Sequence, residues 1–536
     1  MKRDLAALAG TTYDAVIIGG GIYGATLAWE AALRGLSVAL IEQADFGSGA
    51  SANSLKTIHG GLRYLQHADI RRMRQSIRER STLLRIAPHL VNVLPVLVPT
   101  YGHGMKGKEV MAVATRINDA LSMDRNRGLD ASKHIPNAHI ISKAETLALA
   151  PGIRTDGLTG GCVFYDAQAY NTERLTLAFL LSAENIGAVL ANYIKAVGFL
   201  RWGDQVMGVR AQDQLTGAEF EIQAKRVINT SGAWIDCVTD WLKPAGKPLR
   251  LAKAINIITR PLFKDHAVGL RGQGRLYFVS PWRGWSLIGT DYYPYTGDPS
   301  ALRVTTAEVT ALVTAINDAI PSACLTVDDV TFVHRGLLPL KPGSAPEDVQ
   351  LSQHPRLIDH GVGLITVEGV KYTTAREVAV RAVDLLFKSL KRTPAPSVSD
   401  LTPLYGGALD SVEEYLHEQL DDPPHELSPP TIRRLVANYG SEYRRVIGSL
   451  DETAGDDAPE TLRVLRAEAR HAVRREMALT LADVIFRRTD WGSAAPLQES
   501  YLWFVARVMA GELGWSNGQI EREIDAVRAV YRWRDG

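Results

Sequence analysis

Residues 14–24 read DAVIIGGGIYG, an apolar run that breaks on three consecutive glycines and resumes as a helix-forming stretch. Asp14 to Ile18 are expected to form a short buried strand, and Gly19, Gly21 and Gly24 give the spacing G-x-G-x-x-G between that strand and a helix. Glycine is required there because the turn is tight, a pyrophosphate must approach bare backbone, and the helix must pack on the strand. Free N–H groups and the positive end of the helix dipole then meet the phosphates. The helix is expected to run to about Arg34, with Leu27, Ala28 and Ala31 on the sheet and Gly35 as a left-handed cap. A second strand, Ser37 to Ile41, delivers Glu42 about 20 residues beyond the glycines, where a carboxylate accepts hydrogen bonds from a ribose. Strand, glycines, capped helix, strand and acid in this order predict a dinucleotide-binding α/β unit, without separating FAD from NAD.

At 536 residues and 58.6 kDa the chain exceeds one hydrophobic core, so two or three domains are expected. With 60 basic against 59 acidic residues, no global field points to nucleic acid, and electrostatic recognition must be local. The three cysteines, Cys162, Cys237 and Cys324, form no CxxC pair, which argues against a disulfide framework or a metal site and for a reducing compartment. The opening MKRDLAALAG runs into a polar Thr-Thr-Tyr-Asp and lacks the apolar core of a signal peptide. No apolar run reaches the ~18 to 20 residues that span a bilayer. A cytoplasmic protein is expected, free or resting peripherally on the cytoplasmic face of a membrane.

After Glu42 comes FGSGASANSLKTIHGGLRYLQ, a Ser-rich loop running into K-x-I-H-G-G-x-R-Y-L. INTSGAW at 228–234, FVSPWRGWSLIGT at 278–290, Gly297 with Asp298 and Pro299, and VEGVKYTTAR at 367–376 follow in order. Together these segments closely resemble the flavin-linked glycerol-3-phosphate dehydrogenases. The resemblance implies FAD and an α/β fold: a Rossmann-like FAD-binding domain of the amino-acid-oxidase-like type, an inserted α+β substrate domain and a C-terminal helical domain. The corresponding divisions are 1–85, 160–235 and 350–390 for FAD, 86–159 and 236–349 for the substrate or cap domain, a Pro-containing linker at 391–407, and helices over 408–536. In that last part Leu462, Leu465, Val473, Met477, Leu481 and Val484 recur at helical spacing, with Arg487 and Arg488 where a helix dipole favours cations.

For the cofactor, Gly19, Gly21, Gly24 and Glu42 come from the fingerprint. Ser51, Ser54, Lys56, His59, Gly60, Gly232, Gly369 and Thr373 are the further contacts the resemblance implies, with His59 also open to a backbone-satisfied role. Thr373 and Thr374 near a helix start, after Glu368-Gly369-Val370-Lys371, suit the negative charge of a reduced flavin. For a small anionic substrate the resemblance implies Arg63, Tyr64 and Lys371, with Thr290 on the same wall. An arginine fork holds phosphate bidentately and a lysine adds a mobile point charge. Three positions depart from the family pattern: Leu338 stands for an arginine, Asn256 for a histidine that is a candidate proton acceptor, and Thr290-Asp291-Tyr292 for T-T-D. His334 and Arg335 are candidate replacement cations and Asp291 a candidate base. The catalytic set expected is therefore Arg63, Lys371, His334 and Asp291, acting on glycerol 3-phosphate or a related polyol phosphate or hydroxy acid.

The resemblance also implies a membrane quinone as electron acceptor, with oxygen as the alternative. Arg71, Arg72, Arg74, Arg78, Arg80 and Arg85 fall on one helix and read slightly better as a solvated basic face. Glu109 to Met123, with Val110, Val113, Ile117 and Leu121 at helical spacing beside Lys106, Lys108, Arg116 and Arg125, is equally an interfacial helix on anionic lipid or a helix packed on its own domain. An amine or amino-acid oxidase on the same scaffold, and a flavoprotein without catalysis, stay open as other classes. The oligomeric state is open, with a homodimer as one option.

Overall fold

The structure is a computed structural model that describes residues 1–103, 107–242, 248–341, 343, 349–369, 371–453 and 458–533; Lys106 and Val370 lie outside the described residues. Ala15–Ile18 is a strand between Val227–Asn229 and Val38–Ile41, parallel to both. Its alternation decides the layering. Ala15 and Ile17 face the helices Ile22–Leu33, Thr172–Asn185 and Ala375–Ser389, while Val16 and Ile18 face a three-stranded sheet of Ile194–Trp202, Gln205–Asp213 and Glu219–Gln223. The inner strands of the parallel sheet, buried on both faces, are mainly apolar. Val189–Ala191 and Leu364–Glu368 extend it in parallel, and Arg356–Asp359 closes one edge antiparallel.

The first helix starts and stops as its residues dictate. Gly24 allows it to sit against the strand, since a Cβ there would lie 1.9 Å from the Gly19 carbonyl oxygen. Gly35, at φ +77°, ends it, with its N–H and that of Leu36 donating back to Ala32 and Ala31.

A second, nine-stranded mixed sheet carries the substrate side. Leu158–Ala169 belongs to it, paired along its length with Val91–Tyr101. The strand crosses the expected boundary at 160, since a continuous apolar strand does not declare which sheet it joins. Ile255, Ile257, Val268, Leu270, Val279 and Ile288 pack beneath the helix Thr306–Ala319.

Residues 391–407 run as irregular chain, and the helices that follow include Pro429–Tyr439, Glu460–Glu476, Glu499–Leu513 and Asn517–Tyr531. The last three pack on Ile258, Trp282, Leu287 and Phe332 of the second sheet, and Pro429–Tyr439 packs on Val464 and Ala467 of the Glu460–Glu476 helix. Met477 turns left-handed at φ +59° and ends the Glu460–Glu476 helix, and Arg487 and Arg488 fall in the last turn of the next helical segment, Val484–Arg488. Both bind Asp45, Arg488 with two hydrogen bonds of 2.7 Å, and tie the C-terminal helices to the loop after Glu42.

Candidate active site

A cavity of about 2700 Å³ opens between the parallel sheet, the second sheet and the C-terminal helices. Ordinary small-molecule pockets hold roughly 300–1,000 Å³, so this one suits an extended dinucleotide together with a substrate.

The glycine turn builds one end. Gly19 adopts φ +106°, a conformation that side chains avoid, and Ser51 Oγ accepts the first helical N–H, that of Ile22, at 2.9 Å. The Glu42 carboxylate accepts the N–H groups of Gly20 at 2.7 Å and Ala44 at 2.9 Å, and burial pushes its pKa up. Its oxygens keep lone pairs for ribose hydroxyls. Gly21, Ser54, His59, Gly232, Gly369 and Thr373 line the same cavity, and Thr373 Oγ1 accepts the His59 N–H at 3.1 Å just before the Ala375–Ser389 helix begins. A bare turn at one helix start, an acid beside it and a second helix start further along fit the pyrophosphate, ribose and ring of FAD.

Arg63, Tyr64, Thr290 and Lys371, the residues the resemblance implies for the substrate, all line this cavity. Arg63 is exposed and has no hydrogen-bond or ion-pair partner among the described residues. Lys371 Nζ lies 4.2 Å from the centroid of the Tyr64 ring and donates to its phenolic oxygen. Burial, and then the charge of Arg63, bring the lysine pKa down to about 7. Tyr23 fixes the loop, donating its hydroxyl to the Lys371 carbonyl at 2.7 Å and accepting the Lys371 N–H at 3.0 Å. Thr290 Oγ1 donates to Asn256 Oδ1 at 2.7 Å, and Asn256 Nδ2 donates to the Asn53 carbonyl at 3.2 Å. Asn256 is thus an anchored amide that holds Thr290.

Of five further expected residues, His334 and Arg335 line the cavity, whereas Asp291, Lys56 and Gly60 lie off its wall. Asp291 points to the opposite face of its strand from Thr290 and Tyr292, where it pairs with Arg275 and accepts the Tyr293 hydroxyl at 2.9 Å. It is not a base of this cavity. His334 lies opposite Asn256 in the strand pairing, its ring 4.7 Å from that of Phe332 and 6.0 Å from that of Trp282. Burial, with the charges of Lys56 and Arg283, holds its pKa well below the usual range, so it replaces no cation. Lys56 is buried away from the cavity on Glu173, at 2.8 Å. Gly60 donates its N–H to Asp166 Oδ1 at 2.6 Å, and the space a side chain would need is filled by Arg80. Arg335 shares its strand face with Val333 and Leu337 rather than with Leu338, and reaches the cavity rim near Arg303.

Two wall residues escaped the sequence reading. Tyr292 follows from Thr290 by strand alternation, and that signal was available. Arg72 was grouped with a solvated basic face, yet it is buried on the cavity wall. Only the packing of its helix separates it from exposed Arg71 and Arg78.

The family model for FAD dependent oxidoreductases matches residues 14–370, and that for the C-terminal domain of alpha-glycerophosphate oxidase matches 397–520. A glycerol-3-phosphate dehydrogenase of Synechocystis sp. is 31% identical, covering 97% of this chain and 97% of its own. An aerobic glycerol-3-phosphate dehydrogenase of Bacillus subtilis is 30% identical, covering 91% and 89%. Among solved structures, the glycerol-3-phosphate dehydrogenase from Bacillus halodurans complexed with FAD superposes with a TM-score of 0.80 at 26% identity, covering 99% of this chain and 96% of that one. The L-alpha-glycerophosphate oxidase from Mycoplasma pneumoniae, with FAD bound, shares the fold at a TM-score of 0.54 and 16% identity, covering 74% and 99%.

Proposed function

We infer the reaction from one premise: the chain belongs to the FAD-dependent oxidoreductases and, among them, to the glycerol-3-phosphate dehydrogenases. The enzyme oxidises the secondary alcohol of sn-glycerol 3-phosphate to the ketone of dihydroxyacetone phosphate. FAD, when bound, supplies the two-electron acceptor. The protein's own tasks are to hold the phosphate, orient the carbinol and remove the hydroxyl proton.

The observation that carries this reading is Lys371 in contact with Tyr64 beside Arg63, which is unpaired among the described residues. A lysine with a pKa of about 7 is half neutral at physiological pH, and its free amine accepts the hydroxyl proton at Nζ. Arg63 supplies the fork for the phosphate. Thr290 and Tyr292 bound the reacting end, with Thr290 held in place by Asn256. Cations without carboxylate partners favour an anionic substrate over the zwitterions of amine chemistry.

Anaerobic mixing of the FAD-loaded protein with glycerol 3-phosphate is expected to bleach the flavin absorbance. Bleaching by another polyol phosphate or by an amine, with glycerol 3-phosphate inert, rejects the reading.

The acceptor we assign is a quinone met at the cytoplasmic surface of a membrane. Among the described residues no helix is long and apolar enough to cross a bilayer. The helix Lys108–Leu121 supports surface contact, because Val110, Val113 and Ile117 are 36%, 56% and 45% exposed at helical spacing beside the cavity.

A further inference from the structure

The helix Ile70–Ile86 puts most of its arginines to ordinary use: Arg74 pairs with Asp124, Arg80 with Asp166, and Arg71 and Arg78 face solvent. Arg72 differs. It is 7% exposed, lines the cavity, and has its guanidinium carbon 4.4 Å from the centroid of the Tyr64 ring that Lys371 also contacts. Its one side-chain hydrogen bond among the described residues goes to a neutral amide, Gln353 Oε1, at 3.0 Å. Among those residues no ion pair joins it to a carboxylate; Asp69, which is near enough to be felt, caps the helix at the Arg72 N–H at 3.1 Å. Gln353 follows Ser352, whose N–H donates to the Pro339 carbonyl at 2.9 Å, so Arg72 is tied to the end of the strand where Leu338 lines the cavity.

A buried guanidinium without a carboxylate is costly unless an anion joins it. A phosphomonoester brings about −1.5 to −2 charges near neutral pH. Lys371 must be neutral to accept a proton, so it cannot also serve as a permanent counter-charge, and Arg63 alone leaves about one negative charge unmatched. We propose that Arg72 is the second permanent cation of the phosphate subsite, pairing with Arg63 to offset a dianion while Lys371 stays free to move the proton. This rests on the reading of the substrate as a phosphomonoester.

Inorganic phosphate is the probe, titrated into the FAD-loaded full-length protein and followed by perturbation of the flavin absorbance. Alongside it, kcat/KM is measured for glycerol 3-phosphate and for unphosphorylated glycerol. Arg72→Gln is expected to weaken phosphate binding about 30-fold, the loss that follows when one partner of a buried charge pair is truncated, and to lower the ratio of the two kcat/KM values by a similar factor. Gln353→Glu, which neutralises Arg72 in place, is expected to weaken phosphate as well, and it decides the matter if Arg72→Gln does not retain FAD. Parental phosphate affinity in either flavin-replete variant, when Arg63→Gln has lost it, overturns the proposal. So does an equal fall in both kcat/KM values, which is the mark of a merely structural residue. A parent protein that binds no phosphate and does not prefer the phosphorylated substrate overturns the substrate reading itself.

Discussion

Lys371 and Tyr64, 307 residues apart in the chain, share one contact in which the amine both overlies the aromatic ring and donates to its hydroxyl. The lysine sits where burial and Arg63 disfavour its charged form, so its pKa falls to about 7. It is protonated below that value and a free amine above it. Activity in kcat/KM is therefore expected to rise with pH and level off above about 7, and a bound phosphate, favouring the charged form, should move the midpoint of kcat higher. Lys371→Met should remove this limb and lower kcat by about 10²–10⁴-fold. A pH–rate profile that is flat from about pH 6 to 8 counts against the assignment.

Gly24 and Gly35 separate steric need from conformational need. A Cβ at Gly24 would meet the Gly19 carbonyl oxygen at 1.9 Å, so Gly24→Ala is expected to spread the turn, release FAD and destabilise by about 1–3 kcal/mol. At Gly35 nothing lies within 4 Å, and only its left-handed backbone resists a side chain. Gly35→Ala should cost about 1 kcal/mol and keep the flavin. Flavin absorbance per protein and denaturant titration check both.

Asp45 is buried, which by itself would raise its pKa, yet the charges of Arg488 and Arg487 hold it well below the usual carboxylate range. A carboxyl depressed in the folded state contributes stability that is complete above its unfolded value, about 4, and is lost as pH falls toward the folded value. Arg488→Met leaves that carboxylate buried with one partner fewer and is expected to cost about 3–5 kcal/mol. Asp45→Asn should flatten the acid limb of stability against pH, followed by circular dichroism.

The exposed stripe on Lys108–Leu121 predicts an attachment weakened by charge rather than by loss of fold. A Val113→Glu, Ile117→Glu double variant should keep its flavin and its melting temperature while losing sedimentation with anionic vesicles at low salt. Equal sedimentation of parent and variant removes this helix from the membrane contact.

The fingerprint part of the cofactor end was legible because it lies within one stretch of about 30 residues: the strand, the turn of Gly19 to Gly24, the cap at Gly35 and the acid Glu42 are all specified by backbone geometry between neighbours. Arg63, Tyr64 and Lys371 were legible through the resemblance. What their charges do was not, because a pKa depends on burial and on partners that only packing brings near. Strand alternation sent Asp291 to the far face of its sheet and Tyr292 into the cavity, and packing set His334 among tilted and edge-on rings, where burial lowers its pKa. One buried turn of the Ile70–Ile86 helix moved Arg72 from a basic stripe to the cavity wall. Local sequence thus determined where backbone accepts a dinucleotide; the tertiary structure decided which side chains are charged beside it, since electrostatic environment is assembled from residues hundreds of positions apart.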